Sequence, residues 1–179
     1  MENTTRKLVL AGLFIAIGLV LPFITGQIPE IGKQLLPMHI PVLIAGFVIG
    51  WKYGLAVGFI LPILRSLLFS MPPMFPTAIA MSFELATYGC LTGLLYDSLP
   101  KKTPYIYITL ILSMLGGRVV WGIVSLILYG ISGTGFGWEA FMAGAFMNAL
   151  PGIIIQIIII PIIIIALERS SLIEVTEQE

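Results

Sequence analysis

Long apolar segments follow one another along the chain, separated by short polar stretches or by stretches rich in glycine and proline. Roughly 20 helical residues cross the ~30 Å hydrocarbon core of a bilayer. The pattern predicts six helices, at about 8–26, 36–50, 51–70, 75–97, 104–130 and 139–167. The second and third segments are continuous in hydropathy, and Gly50-Trp51-Lys52-Tyr53-Gly54 is the predicted break between them. Without that break the count falls to five.

Composition supports placing these helices in a membrane. The chain has 179 residues, of which 58% are hydrophobic and 10% charged, whereas soluble domains are about 25% charged. The predicted fold class is therefore an all-α membrane protein that forms one integral membrane domain over residues 1–179. The net charge is zero and gives no indication of a nucleic-acid partner, and one cysteine excludes an intrachain disulfide. The first apolar segment lacks a convincing cleavage site and is predicted to be a retained helix.

Basic residues in the connecting loops predict the orientation, because cytoplasmic loops carry an excess of lysine and arginine. With six spans, one side of the membrane collects six basic residues and the other collects only Lys33. The six are Arg6, Lys7, Lys52, Lys101, Lys102 and Arg169. Both termini are therefore predicted to lie in the cytoplasm.

Polar residues inside the apolar segments are the main candidates for function. They are Arg65, Glu84, Arg118 and Asn148, each on a different predicted helix. An ionised side chain near the bilayer centre costs at least ~2.5–3.5 kcal/mol on insertion scales, so such residues usually face a cavity or one another. In the predicted topology all four lie between the outer interface and the midplane. This placement predicts a pocket open to the outside, and two arginines against one carboxylate favour an anionic ligand.

Each of these residues also has a structural interpretation. The two arginines neutralise Glu84 in a buried triad, or one of them is left to bind a ligand carboxylate with its planar fork. Glu84 either braces an arginine or contacts the ligand. Asn148 joins helices through its amide, or it lines the cavity where Pro151 and Gly152 open the helix locally.

Three further residues are weaker candidates for ligand binding. His39 follows Pro37-Met38 at the outer start of the second predicted helix, where a wetted interfacial cap is the alternative. Tyr88 and Trp121 lie at the predicted depth of the pocket, where aromatic residues usually pack or form an interfacial belt. The apolar loop at residues 71–76 and the glycine-rich loop at residues 130–137 are predicted to cover the pocket, with contact to lipid headgroups as the alternative.

The chain has no Walker phosphate loop, no zinc-ligand spacing and no nucleophile–base set, and it contains one histidine. We therefore expect no catalytic residues, metal or cofactor, and expect any uphill transport to depend on an ion gradient or on partner ATPases. Two other classes stay open. One is an intramembrane enzyme that uses Glu84 or His39 as a base on a lipid-like substrate. The other is a self-sufficient transporter or channel, although no inverted repeat is evident.

Several segments resemble a known family. They are Leu36-Pro37-Met38-His39-Ile40-Pro41-Val42-Leu43-Ile44-Ala45-Gly46-Phe47, Pro62-Ile63-Leu64-Arg65-Ser66 and Met71-Pro72-Pro73-Met74-Phe75-Pro76. Together with the length and the six predicted helices, they resemble the substrate-binding S component of an energy-coupling-factor (ECF) vitamin transporter. Gly12 and Ala16 stand where that family has its docking motif of small residues, with glycine in place of the first alanine.

The resemblance implies a transport subunit in a prokaryotic plasma membrane. Such a subunit binds one vitamin from outside, docks on a transmembrane coupling protein that is associated with two ATPases, and topples to carry the pocket inward. The pattern is nearest to the pantothenate binders, and the carboxylate of pantothenate suits a spare arginine. Folate, riboflavin, pyridoxine and niacin are the alternatives.

Overall fold

The computed structural model describes residues 2–24 and 34–170, and within those ranges the fold is helical. Apart from two helical residues at 34–35, these ranges form six helical segments. They are α1 (Glu2–Ile24), α2 (His39–Ile49), α3 (Trp51–Phe69), α4 (Met74–Ser98), α5 (Thr103–Ile131) and α6 (Trp138–Arg169). The observed helix ends lie within about three residues of the predicted ones, except at the start of α1. There the polar residues 2–7 are helical as well, and residues 25–26 lie outside the described ranges.

The predicted break between the second and third helices is confirmed at Gly50. Its φ of 81° and ψ of 174° belong to a region of backbone space that is open essentially only to glycine. Any other residue at this position would be strained there. The chain therefore leaves α2 at Gly50 and starts α3 at Trp51 in a new direction.

Of the six described helices, five are long and apolar enough to cross a membrane, which makes the protein a multi-pass membrane protein. The exception is α2, which has 11 residues and extends only about 16 Å at 1.5 Å per residue. The prediction of six helices is confirmed, but α2 is too short for a complete span. It is instead a central element, buried along most of its length and packed against α1, α3, α4 and α6.

Glycines bring α3 and α4 into backbone contact. A Cβ atom on Gly58 would lie 2.2 Å from the carbonyl oxygen of Leu85, and one on Gly89 would lie 2.2 Å from the carbonyl oxygen of Gly54. Small residues allow this close approach, which favours helix association where no hydrophobic effect drives it. The packing fixes the rotation of α4 about its axis and thereby directs Glu84 and Tyr88 inward.

The last helix, α6, is interrupted near its N-terminal end. It contains a π turn at Ala143–Met147, where the backbone N–H of Asn148 donates to the carbonyl oxygen of Ala143 at 2.9 Å. Pro151 then lacks the N–H that would continue the helical ladder. This confirms the predicted local opening around Asn148. Beyond the break, the remainder of α6 is anchored where the Gln156 side-chain amide donates to the Leu36 carbonyl at 3.5 Å.

Candidate functional site

The buried polar centre of the structure begins with two residues of α4. Glu84 and Tyr88 are four residues apart, so their side chains lie on the same face of the helix. The Tyr88 hydroxyl donates to Oε1 of Glu84 at 3.1 Å. Both side chains are almost completely buried, with 1% of Glu84 and 0% of Tyr88 exposed.

Arg118 on α5 completes an ion pair with this carboxylate. Its Nη1 atom lies 2.9 Å from Glu84 Oε1, a short charge-assisted contact. The preceding residue, Gly117, makes room for the Tyr88 ring, because a Cβ atom there would lie 2.0 Å from two ring carbons. Two adjacent residues of α5 therefore serve the same site: Gly117 leaves space for the Tyr88 ring, and Arg118 forms the ion pair with Glu84.

His39 brings α2 into the same group. Its Nε2 atom lies 3.6 Å from Glu84 Oε1, beyond the length of a good hydrogen bond, and its ring centre lies 5.5 Å from that of Tyr88. Three helices thus contribute four side chains at the start of α2 and within α4 and α5. We call His39, Glu84, Tyr88 and Arg118 the carboxylate cluster.

The structure does not bring Arg65 into the carboxylate cluster. Its Nη1 atom donates to the carbonyl oxygen of Leu19 at 2.6 Å, and its guanidinium carbon lies 5.3 Å from the ring centres of both Phe23 and Phe69. Among residues 2–24 and 34–170, no carboxylate lies within 4 Å of it. Arg65 therefore joins α3 to α1, and within the cluster the charges of Arg118 and Glu84 balance.

Arg118 nevertheless keeps hydrogen-bonding capacity. Its Nε and Nη2 atoms are buried and have no hydrogen-bond partner in the described part of the chain, and the same is true of both ring nitrogens of His39. Nε–H and one Nη2–H point the same way along one edge of the guanidinium plane. Such an edge matches the two oxygens of a carboxylate.

Trp121 lies one turn along α5 from Arg118, at the junction with the N-terminal part of α6. A Cβ on Gly144 would lie 2.6 Å from the Trp121 ring, and one on Gly122 would lie 2.5 Å from the ring of Phe141. Each helix therefore presents an aromatic ring to a glycine of the other. We call these two contacts the ring–glycine interlock, and they hold α6 against α5 beside the carboxylate cluster.

Asn148 is not brought into the cluster either. Its side chain is exposed, immediately after the π turn. The sequence also did not single out Gly117, Gly122 and Phe141 as residues that shape this region. The signal for the two glycines was their spacing from Arg118, which places one beside it and the other one turn further along the same helix.

The predicted docking residues lie on a free part of α1. Gly12 and Ala16 are exposed, and no heavy atom lies within 4 Å of a Cβ built on Gly12. A side chain at Gly12 would therefore meet open space, and Ala16 is exposed one turn further along the helix. The outward position of both is compatible with contact to another helix or to lipid.

Comparison with protein families identifies the chain. The model of the family described as "ECF transporter, substrate-specific component" matches residues 6–164, which includes every residue of the carboxylate cluster. The protein belongs to this family of substrate-specific components. Comparisons with curated proteins and with solved structures found no match.

Membership of the family establishes the general role. Substrate-specific components are the substrate-binding subunits of ECF importers and are not enzymes. They work with a transmembrane coupling protein, and ATP is hydrolysed by partner modules. In this substrate-specific component, the carboxylate cluster is a group of buried, mutually contacting polar side chains contributed by three of the described helices.

Proposed function

We propose that this substrate-specific component binds a water-soluble vitamin that bears a carboxylate, with pantothenate as the first candidate. The observation that carries the proposal is the unsatisfied edge of Arg118. A buried polar atom without a partner costs about 1–3 kcal/mol, and more when charged. Two parallel donors on one buried cation therefore strongly favour the binding of a group that has a pair of acceptor oxygens.

The ion pair with Glu84 gives Arg118 a defined position. The pair uses Nη1 and leaves Nε and Nη2 for a ligand. A guanidinium that is held on one side and open on the other binds a carboxylate with little loss of side-chain entropy. Glu84 is therefore a positioning residue in this proposal. His39 supplies one further donor, and the Tyr88 hydroxyl donates to the same oxygen of Glu84 that Arg118 contacts.

The remaining predicted site residues have different roles in the proposal. Trp121 forms the wall of the site toward the outer end of α5. Asn148 contacts a ligand only when α6 rearranges at its break, because its side chain is now exposed. Arg65 maintains the position of α1 against α3 and does not bind the ligand.

The transport step follows from the family and from the position of α1. We place both termini in the cytoplasm of a prokaryotic cell, with the carboxylate cluster toward the outer half of the membrane. The exposed face at Gly12 and Ala16 then docks on the transmembrane coupling protein, which is associated with two ATPases. The whole subunit topples to expose the bound vitamin inward.

The proposal is tested by calorimetric titration of the detergent-solubilised protein with pantothenate, folate, riboflavin, pyridoxine and niacin. We expect tight binding of pantothenate, and weaker binding of panthenol, in which the carboxylate is reduced to an alcohol. Tight binding of an uncharged vitamin, with no preference for a carboxylate, would contradict the proposal. Tight binding of folate or niacin through Arg118 would preserve the carboxylate site and replace pantothenate as its ligand.

A further inference from the structure

Ser125 is one of three buried hydroxyls on α5, with Thr109 and Ser113, that have no hydrogen-bond partner among the described residues. Serine and threonine in helices usually donate to the carbonyl oxygen four residues earlier, as Ser82, Thr87 and Ser98 do at 2.7–2.8 Å. The Ser125 side chain is fully buried, yet its hydroxyl has no hydrogen-bond partner among the described residues. It therefore has an unused donor and acceptor inside the protein.

Ser125 lies on the same face of α5 as Arg118. Seven residues correspond to almost two full turns, so the two side chains differ by only about 20° around the helix and are separated by about 10 Å along it. Gly122 lies between them on this face. The neighbouring positions Val119, Ile123 and Leu126 are exposed, so the face with Arg118 and Ser125 is the one that is turned inward.

Phe141 occupies the space between the two polar groups. Its ring lies on Gly122, where a Cβ would approach within 2.5 Å, and it stacks on Trp121 with 6.2 Å between ring centres. Phe141 belongs to the short helical segment Trp138–Met142, directly before the π turn Ala143–Met147. The ring is thus carried by a segment that is separated from the anchored part of α6 by an irregular backbone.

We infer that the ligand site extends along α5 from Arg118 to Ser125, and that the Phe141 ring occupies its middle and withdraws when ligand enters. The inference rests on the proposed function and adds a ligand class to it. The ligand is elongated, with an acceptor group at one end for Nε and Nη2 of Arg118. It has a hydroxyl or carbonyl at the other end for Ser125, and an apolar or planar middle against Trp121.

A matched pair of serine variants tests the far anchor. Ser113 is also fully buried and unpartnered on α5, but five residues from Arg118 place it about 140° away around the helix. Ser125→Ala and Ser113→Ala each remove one such hydroxyl. With pantothenate as titrant, we expect Ser125→Ala to weaken binding about 3- to 10-fold, as the loss of one hydrogen bond does. Ser113→Ala should change it less than about 2-fold.

A second pair tests the ring in the middle of the site. Phe141→Ala removes the ring from Gly122, and we expect pantothenate to associate at least about 5-fold faster in stopped-flow measurements of tryptophan fluorescence. Phe146→Ala is the control, since that ring only meets the edge of Phe141 at 6.1 Å.

The outcomes separate this inference from the proposed function. If pantothenate does not bind the wild-type protein, both variant pairs are measured with whichever vitamin of the titration panel does bind. Equal losses in Ser125→Ala and Ser113→Ala, or an unchanged association rate in Phe141→Ala, would overturn the extended site while the Arg118 site stands. Failure of every vitamin in the panel to bind would contradict the proposed function itself, and the extended site with it.

Discussion

Arg118 and Glu84 meet through one nitrogen and one oxygen, Nη1 and Oε1, at 2.9 Å. The contact joins α5 to α4 at a point where the two side chains are almost completely buried. Because it uses one of three guanidinium nitrogens, it neutralises the arginine without exhausting its donors. The same residue is therefore both a structural partner and a candidate ligand contact.

Removing the charge of Glu84 tests the structural half of this relationship. Glu84→Gln leaves Arg118 buried without a counter-charge, and breaking a buried pair in this way costs about 3–5 kcal/mol. We expect a clear fall in the thermal unfolding midpoint of the detergent-solubilised protein. Glu139→Gln, at an exposed position in the first turn of α6, is the control and should leave the midpoint unchanged. Equal midpoints for the two variants would show that the pair is not stabilising.

The glycine contacts between α3 and α4 predict a second stability effect. Gly89→Leu places a side chain where a Cβ would already lie 2.2 Å from the Gly54 carbonyl. We expect the two helices to separate, with loss of monodisperse protein in size-exclusion chromatography. Gly12→Leu adds the same side chain to open space on α1 and should purify like the wild type. A well-folded Gly89→Leu variant would contradict the close packing of these helices.

The exposed face of α1 predicts that substitutions there abolish transport without affecting vitamin binding. Gly12→Leu and Ala16→Leu each add a large side chain at an exposed position. Neither position belongs to the carboxylate cluster or to the packed core. We expect vitamin binding within about 2-fold of wild type, but loss of co-purification with the coupling protein and loss of ATP-dependent uptake into liposomes. Leu13→Ala, on the same exposed face, removes bulk and is the control. Normal uptake by both leucine variants would exclude this face as the docking surface.

A hydrogen bond near the ends of α4 and α6 gives a further test of the fold. The Tyr96 hydroxyl donates to Glu168 Oε1 at 2.6 Å, and Lys101 in the following loop lies over the Tyr96 ring. Tyr96→Phe removes the hydroxyl alone. Because hydrogen bonds to charged groups contribute about 1.5–3 kcal/mol, we expect a lower unfolding midpoint with unchanged vitamin affinity. Tyr129→Phe, near the end of α5, is the control, because the Ser132 and Thr134 side chains that bond to Tyr129 donate to its backbone carbonyl and not to its hydroxyl. An equal change in both variants would contradict the assigned contact.

Much of this architecture was predictable because membrane insertion restricts the sequence strongly. The helix boundaries followed from the lengths of the apolar segments, and the break at Gly50 followed from the glycines and the lysine around it. Glu84 and Arg118 were identified because unpaired charges are costly in hydrocarbon. That Glu84 braces an arginine was one of the alternatives that the sequence left open, and His39 and Tyr88 were weaker candidates for the same pocket.

The positions of Arg65 and Asn148 were not predictable from depth alone. Depth gives the height of a residue in the membrane, whereas its direction depends on the rotation of each helix. The glycine contacts at Gly58 and Gly89 set the rotation of α3 against α4, and Arg65 follows α3 toward α1. In α6 the π turn adds a residue to one turn of helix, which rotates Asn148 by about 100° from its position in a regular helix.

The most direct test of the central claim is the affinity of Arg118→Lys for pantothenate and for panthenol, measured by calorimetry beside the wild type. Lysine retains a positive charge for Glu84 but lacks the edge formed by Nε and Nη2. We predict that the substitution weakens pantothenate binding about 10- to 100-fold, the effect of about 1.4–2.8 kcal/mol, and changes panthenol binding less than about 3-fold. Arg65→Lys should change the affinity for neither pantothenate nor panthenol. Equal losses for the two ligands in Arg118→Lys would contradict carboxylate recognition by Arg118.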